Sequence, residues 1–403
     1  MKINVQSLRS AEIYSLYALV FFLPLFEAPK NIAISAMVIL WITRSFLSSD
    51  WGGAWSKWDT SSILIIIAGA GSVLFGLYHT EKGITAIGDI LSYTLVFMIL
   101  RRSSFDKDTI RNIFVVAITS TLITLAWGYW NLFHNHTTEA LTLNSVGHVN
   151  HSAIYLAIVS TSTLALVVTE TSKTFKFLFL AIFAFFCFSI LIMAARGAIL
   201  PLAFFIAIVL ISATKTPKHI AKNIVVSALA ISAFLFLAPG IVHKTLGNVS
   251  TTDYTSKRLE LANTAFVAAM ESPIFGVGLN NFGKISEGDI KAWEEKRGHD
   301  FDPSRFFYSS HAHGLYSNTL AVQGVTGLLA VLGFLGLIGH HIFTTRPSQG
   351  LSGPMLWYSA LGAWVIVVFG GVFNTTLHHE HGMLAMITLG IYLSSKNIQS
   401  NVS

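Results

Sequence analysis

The chain has 403 residues, of which 53% are hydrophobic and only 11% carry a charge, and its mean hydropathy is +0.62. A soluble globular domain contains about 25% charged residues, so this composition excludes that class. The sequence therefore predicts an all-α integral membrane protein, because long apolar runs cross a bilayer as helices.

Apolar runs long enough to cross about 30 Å of hydrocarbon predict about twelve transmembrane helices. Nine of them lie in residues 1–238 and three in residues 313–403, on either side of a polar segment at 239–312. The predicted spans are 13–29, 31–48, 61–78, 83–100, 112–132, 151–169, 175–195, 198–213, 220–238, 313–338, 354–373 and 382–395.

The lysines and arginines predict how the chain is oriented, because basic residues in short loops stay on the cytoplasmic side. With both termini in the cytoplasm, fifteen of the 26 basic residues fall in inner segments. The short outer loops then contain only Lys30, Lys82 and Arg196. Most histidines fall on the outer side, together with the long segment 239–312, so the outer face is expected to carry the polar chemistry.

Asp89 lies inside the fourth predicted span. An intramembrane carboxylate marks a functional cavity or a hydrogen bond within the helix bundle, and the second interpretation is preferred for Asp89.

Residues 175–212 form one apolar run that is interrupted at 195–197 by Ala-Arg-Gly. The run is too long for one span and predicts two spans joined by a tight outer turn. An arginine in this setting costs several kcal/mol unless it faces water or an anion. No acidic residue lies within ten positions, so Arg196 is interpreted as an anion ligand, with a snorkelling turn residue as the alternative.

The outer segment contains a predicted amphipathic helix that begins near Ser256 and lies against the membrane or the bundle. Its apolar residues at helical spacing are Leu259, Ala262, Phe266, Ala269 and Met270. Lys257 and Arg258 stand at its start, and Pro273 ends it. The charged stretch 284–305 is expected to form a partly ordered lid.

A polar stretch with Arg305, His311 and His313 leads directly into the tenth predicted span. Ser310 is the predicted N-cap, which puts both histidines in the first helical turn. A helix start attracts anions and disfavours imidazolium, so a histidine there stays neutral and can accept a proton. The alternative is a capping histidine without chemistry. One helical face is predicted to contain His313, Tyr316, Ser317, Leu320, Gly324 and Gly327, whereas His311 points elsewhere.

The outer turn His378-His379-Glu380-His381 lacks the H-E-x-x-H spacing of zinc proteases, so a polar cavity rim is favoured over a metal site. No Walker sequence and no G-x-S-x-G elbow is present. These patterns predict no bound metal and no cofactor, and they disfavour a nucleotide-driven pump and a serine hydrolase.

Three motifs together resemble the O-antigen ligase and polymerase superfamily of bacterial envelope enzymes. They are R-L-E-L at 258–261, S-P-I-F-G-V-G-L-N-N-F at 272–282, and H-A-H-G followed by Q-G-V-T-G-L-L within 311–329. The resemblance covers about residues 256–330, and the arrangement of spans extends it. Ala262 departs from the pattern, since many relatives have tryptophan there. Within the superfamily the ligase is the best match, because H-A-H resembles its essential histidine motif.

The resemblance implies a membrane glycosyltransferase of the GT-C type. It implies transfer of O-antigen polysaccharide from undecaprenyl pyrophosphate to the lipid A-core oligosaccharide, at the periplasmic face of the inner membrane. The reaction would be metal-independent and inverting, with neither nucleotide nor nucleic acid as partner. The alternatives are an O-antigen polymerase, a protein O-oligosaccharyltransferase and, from a different class, a multi-span transporter.

The roles of individual residues are predicted from the resemblance and from the positions of charged residues and histidines in the sequence. His313 is the predicted general base. Arg196 and Arg258 are predicted to bind the pyrophosphate, with Arg305 and Lys257 as second choices. The residues expected to position the acceptor or orient the base are His311, Tyr316 and Asn318.

Overall fold

The computed structural model describes residues 4–134, 140–213, 252–345 and 353–400. Within these ranges the regular structure is helical and contains no strand. Eight of the described helices are long and apolar enough to cross a membrane, which identifies a multi-pass membrane protein. The all-α fold class is confirmed for this part of the chain, whereas the number twelve stays a prediction. The predicted ninth span, 220–238, lies outside the described residues.

The helices follow the predicted spans closely, with some shifted bounds. They are α1 (Val5–Phe22), α2 (Glu27–Ser48), α3 (Lys57–Phe75), α4 (Glu81–Arg102), α5 (Lys107–His134), α6 (Val149–Thr169), α7 (Lys173–Met193), α8 (Arg196–Ala213), α9 (Thr252–Glu271), α10 (Glu287–Lys296), α11 (Leu315–Thr344), α12 (Gly353–Gly370) and α13 (His379–Ser400). The eight candidate spans are α2–α7, α11 and α12. The first helix differs most from its prediction, because Asn4 caps its start with a 2.9 Å hydrogen bond to the Gln6 amide and the chain leaves the helix near Pro24.

Buried ion pairs tie neighbouring helices together at one end of the bundle, called here the arginine end. Asp59 is completely buried and accepts hydrogen bonds from Arg101 at 2.9 Å and from Arg102 at 3.0 Å. Arg44 pairs with Glu12 at 2.5 Å. Arg101 and Arg102 therefore join α4 to α3.

The opposite end, called here the histidine end, contains the starts of α2, α6, α11 and α13. Lys30 in α2 pairs with Glu380 in α13 at 2.5 Å, and the Ser145 hydroxyl is 3.5 Å from the same carboxylate. Since Lys30 and Arg44 lie at opposite ends of α2, the two groups of polar contacts mark the two ends of the bundle.

Helix α11 is broken at Gly324, whose backbone has φ +65° and ψ −163°. Residues 273–278 form a turn that enters the break. Val325 N–H donates to the Pro273 carbonyl at 2.8 Å, and Val277 N–H donates to the Ala321 carbonyl at 2.8 Å. Non-helical backbone at membrane depth is tolerated where protein groups satisfy it in this way. The predicted continuous helical face from residue 313 to residue 327 is therefore wrong.

Helix α9 forms where the sequence predicts it, but its buried face is different. Leu261, Ala265 and Ala268 are at most 2% exposed and pack towards α11. Phe266 and Met270, which belong to the predicted apolar face, are 59% and 52% exposed. The small alanines allow α9 to approach α11 closely, and this contact decides the orientation.

Helix α10 and its flanking loops pack onto α9. Ser286 and Asp289 form a capping box at the start of α10, and Ile290 and Trp293 are buried. Lys296 pairs with Glu271 at the end of α9 at 2.7 Å. The stretch predicted as a partly ordered lid is thus a short helical layer beside α9.

Candidate functional site

A cavity of about 320 Å³ lies at the histidine end, between α4, α6, α11 and the turn that precedes α13. Side chains from distant parts of the chain meet there, and they include Asp89, His151, His311, Asn318, Gln323 and His378. A cavity of this size with convergent polar groups is the expected form of a binding site for a small group.

Five histidines surround His151 at the start of α6. The ring centroids lie 5.1 Å from His381, 5.5 Å from His379, 5.6 Å from His148, 6.4 Å from His378 and 6.5 Å from His311. The sequence presents these residues as three separate motifs, so it contains no sign that they converge beyond their common position at outer helix ends. Among the described residues, no group of histidine, cysteine or acidic side chains is arranged to hold a metal ion.

His313 lies just before α11 and has a left-handed backbone, with φ +50°. Gly314 is the N-cap of α11, so the prediction of Ser310 as N-cap is wrong. The first amide of the helix, on Leu315, donates to the carbonyls of Gly371 at 2.7 Å and Asn374 at 3.1 Å. These long-range acceptors replace a local side-chain cap and shift the helix start.

The left-handed turn brings the rings of His311 and His313 together, with centroids 4.1 Å apart. The expectation that the two histidines point in different directions is therefore wrong. The Ser310 hydroxyl is 2.9 Å from Nδ1 of His311, and Oδ1 of Asn318 accepts a hydrogen bond from the Ala312 amide at 3.1 Å. Ser310 and Asn318 thus fix the histidine pair from both sides.

Burial, together with positive charge on His311 and Arg258, lowers the pKa of His313 to about 4. Burial also lowers the pKa of His311, and it lowers the pKa of His378 to about 3. These imidazoles are neutral at neutral pH and can accept a proton. Burial is the main cause, and neighbouring positive charge acts in the same direction.

Arg258 and the residue after Arg196, Gly197, contact one backbone turn, residues 373–374. Arg258 donates to the Phe373 carbonyl at 3.2 Å, and its guanidinium lies 6.0 Å from the Phe373 ring centroid. Arg196 begins α8 after a tight turn through Ala194, which has φ +51°, so the predicted division of this apolar run into two helices is confirmed. The next residue, Gly197, packs against Asn374 so closely that a Cβ atom would lie 2.2 Å from its side-chain nitrogen.

The other predicted site residues do not line the cavity at the histidine end. The Tyr316 hydroxyl donates to the Val368 carbonyl in α12 at 2.8 Å, so it is held away from the cavity. Arg305 is exposed and borders a separate hollow beside α9 and α10. The Lys257 amine lies 6.0 Å from the centroid of the Phe307 ring. Arg258, His311, His313 and Asn318 are the predicted residues that the structure brings together most directly.

Asp89 and the turn before α13 are where sequence reasoning was incomplete. Asp89 borders the cavity and is exposed, so the preferred interpretation as a hydrogen bond inside the bundle does not describe it. His378 and His379 border the cavity as the favoured interpretation of a polar rim expects, whereas His381 is buried against the Thr375 carbonyl at 2.8 Å.

Residues 158–332 match the protein family described as O-Antigen ligase. The resemblance to the O-antigen ligase family is confirmed. The matched region runs from α6 into α11, so it contains Arg196, Arg258 and His313, while Asp89 and the turn before α13 lie outside it. A comparison with curated proteins gives no match. The family supports an enzyme of the membrane-bound ligase and polymerase type.

Proposed function

We propose that this O-antigen ligase family member transfers O-antigen polysaccharide from undecaprenyl pyrophosphate to the lipid A-core oligosaccharide. The single observation that carries the proposal is a neutral, half-buried His313 that lies near Arg258 and beside the cavity. A proton acceptor and a fixed cation are the two groups that glycosyl transfer from a pyrophosphate requires.

In the proposed reaction, a hydroxyl oxygen of the acceptor sugar attacks the anomeric carbon of the donor from the face opposite the pyrophosphate. The new carbon–oxygen bond forms while the bond to the pyrophosphate oxygen breaks, which inverts the anomeric configuration. His313 takes the hydroxyl proton, and undecaprenyl pyrophosphate leaves with the bonding electrons.

Negative charge develops on the departing pyrophosphate, and arginines are well suited to stabilise it. A guanidinium matches phosphate oxygens with two parallel hydrogen bonds. Arg258 contacts the turn at residues 373–374, and Gly197, which follows Arg196, packs against the same turn. Both arginines are therefore proposed to contact one pyrophosphate. Positioned cations of this kind typically contribute about 10²- to 10³-fold in rate. We propose that they take the place of a metal, and that Lys257 and Arg305 have secondary roles.

We further propose that the histidine end faces the periplasm, with both termini in the cytoplasm and residues 239–312 forming one large periplasmic loop. The uneven distribution of lysine and arginine supports this orientation in the inner membrane. It also agrees with the proposed division into residues 1–238, 239–312 and 313–403. The GT-C type is proposed from the family resemblance alone.

The first test removes the proposed base. Replacing His313 with alanine should abolish ligation while the protein remains folded in the membrane. His299 provides a control, because it is a histidine near the end of α10 whose side chain is 63% exposed. His299→Ala should ligate normally. Near-normal ligation by His313→Ala would remove this residue as the base.

A second test separates the ligase from its relatives. In cells that lack the gene, extracted lipopolysaccharide should lose its long ladder on a gel, and lipid-linked polymer should accumulate. A core that carries single repeat units would instead indicate a polymerase. Normal lipopolysaccharide together with loss of a protein-linked glycan would indicate a protein O-oligosaccharyltransferase.

A further inference from the structure

The wall of the cavity that belongs to α4 and α11 carries polar groups for which the proposed transfer step has no use. Asp89 and Thr85 project from α4, and Gln323 lies in α11 directly before the break at Gly324. All three line the same cavity as His311. They combine a carboxylate, a hydroxyl and an amide in a region that is otherwise apolar.

Gln323 is nine-tenths buried, with 9% of its surface exposed. Its Oε1 atom has no hydrogen-bond partner among the described residues. A buried amide oxygen without a partner costs free energy, and a native protein retains such a group where a ligand or water completes it. Gln323 thus leaves an amide oxygen without a hydrogen-bond partner from the described residues, within the wall that the residue shares with the cavity.

Asp89 supports the same conclusion from the other side of the cavity. It lies within a candidate membrane span, yet it is exposed towards the cavity. A carboxylate at this depth is tolerated where it faces water or a polar ligand. Asp89 and Gln323 therefore line a hydrated space beside the histidine pair.

We propose that this cavity binds a single sugar ring, with Asp89 accepting hydrogen bonds from its hydroxyl groups and the Gln323 amide pairing with a further hydroxyl. A sugar offers several adjacent hydroxyls, which carboxylates and amides bind well because they accept or donate two hydrogen bonds each. The volume of about 320 Å³ suits one ring and lies at the small end of ligand sites.

This inference rests on the proposed glycosyl transfer and makes it more specific, since it assigns a binding subsite rather than a reacting group. Two sugars could occupy the subsite, namely the accepting sugar of the core or the first sugar of the donor glycan. Both sugars would form the same kind of hydrogen bonds with the subsite, so kinetic measurements must show which of the two it binds.

The kinetic test uses the full-length protein in membranes and the variants Asp89→Asn and Gln323→Leu. Loss of one hydrogen bond to a sugar should raise KM about tenfold for one glycan substrate, with kcat changed much less. The KM for acceptor is measured at saturating donor, and the KM for donor is measured at saturating acceptor. The substrate whose KM rises is the one whose sugar occupies the subsite. Unchanged KM values for both substrates in both variants would overturn the proposal.

Ser92→Ala is the matched control, because Ser92 also lies in α4 and its hydroxyl donates to the Gly88 carbonyl of its own helix at 2.8 Å. Both KM values should stay at the wild-type level in this variant. If Gln323→Leu does not fold, Gln323→Glu keeps the shape of the side chain and replaces only the amide.

A binding test works without any turnover. In a Cys187→Ala background, Thr85→Cys places a thiol on the exposed, cavity-lining face of α4, and its labelling by a maleimide is followed with time. Either the deacylated core oligosaccharide or the free O-antigen polysaccharide should slow labelling several-fold, and polyethylene glycol of similar mass should not. Absence of protection by both glycans overturns the sugar site. Protection in a protein that transfers no glycan would support the sugar site and refute the ligase.

Discussion

The break in α11 predicts that the substitution Gly324→Ala destabilises the folded protein. The backbone angles of Gly324, φ +65° and ψ −163°, belong to a region that is essentially restricted to glycine, and another residue there costs about 1–3 kcal/mol. A Cβ atom would also lie 2.4 Å from the Ile274 carbonyl group, and such overpacking costs about 1–3 kcal/mol more. The substitution should therefore destabilise the folded protein by about 2–6 kcal/mol.

Gly333→Ala provides the control within the same helix. Nothing lies within 4 Å of a Cβ atom at Gly333, and alanine is the better helix former. The assay is the apparent Tm of the purified proteins in one detergent. Gly324→Ala should lower it by many degrees, and Gly333→Ala should leave it unchanged or raise it slightly. Equal apparent Tm values for the two variants would refute the inference that the inserted segment requires glycine at the break.

Three other predictions concern charge. The pKa of His313 is about 4, below its ordinary value, so the base is neutral above that pH. The value of kcat/KM should therefore stay level from pH 8 down to about pH 5 and fall at lower pH. A fall centred near pH 6.5 would contradict this prediction. A bound pyrophosphate should raise the same pKa, so the acid limb of kcat should lie at higher pH than that of kcat/KM. Arg258→Ala should reduce transfer about 10²- to 10³-fold, and Lys57→Ala should not, when initial rates are compared at saturating acceptor; similar losses would make Arg258 an ordinary surface charge. Asp59→Ala should destabilise the protein by about 3–5 kcal/mol, because it leaves Arg101 buried without its carboxylate, and a normal apparent Tm would contradict the structural role of this pair.

Two of the motifs that carry the family resemblance meet at the break in α11. The segment 272–282 supplies the inserted turn, and the Q-G-V-T-G stretch supplies the break that receives it. The Ser72 hydroxyl donates to the Val322 carbonyl at 2.6 Å, which ties α3 to the same junction. This junction holds Gln323 at the cavity wall, so the two motifs together shape the site that the histidine motif borders.

Local periodicity and composition were sufficient for the class of protein and for most of its helices. A span needs a long apolar run, and such a run is visible in one stretch of sequence. The turn before Arg196 was predictable for the same reason, because an apolar run of that length must reverse. The helix that contains Arg258 and the family resemblance also followed from residues close together in the chain.

The arrangement of the site depended on contacts between residues far apart in the chain. His313 lies outside α11 because carbonyls near residues 371–374 satisfy the first amide of that helix, and no local pattern encodes acceptors more than fifty positions away. The break at Gly324 depends in the same way on hydrogen bonds from residues 273–278. Which face of α9 is buried was decided by the alanines that fit against α11, not by the largest side chains. The sequence by itself determined which segments are helical and which residues are polar, and only the packing of those helices decided that Asp89, Gln323 and the histidines share one cavity.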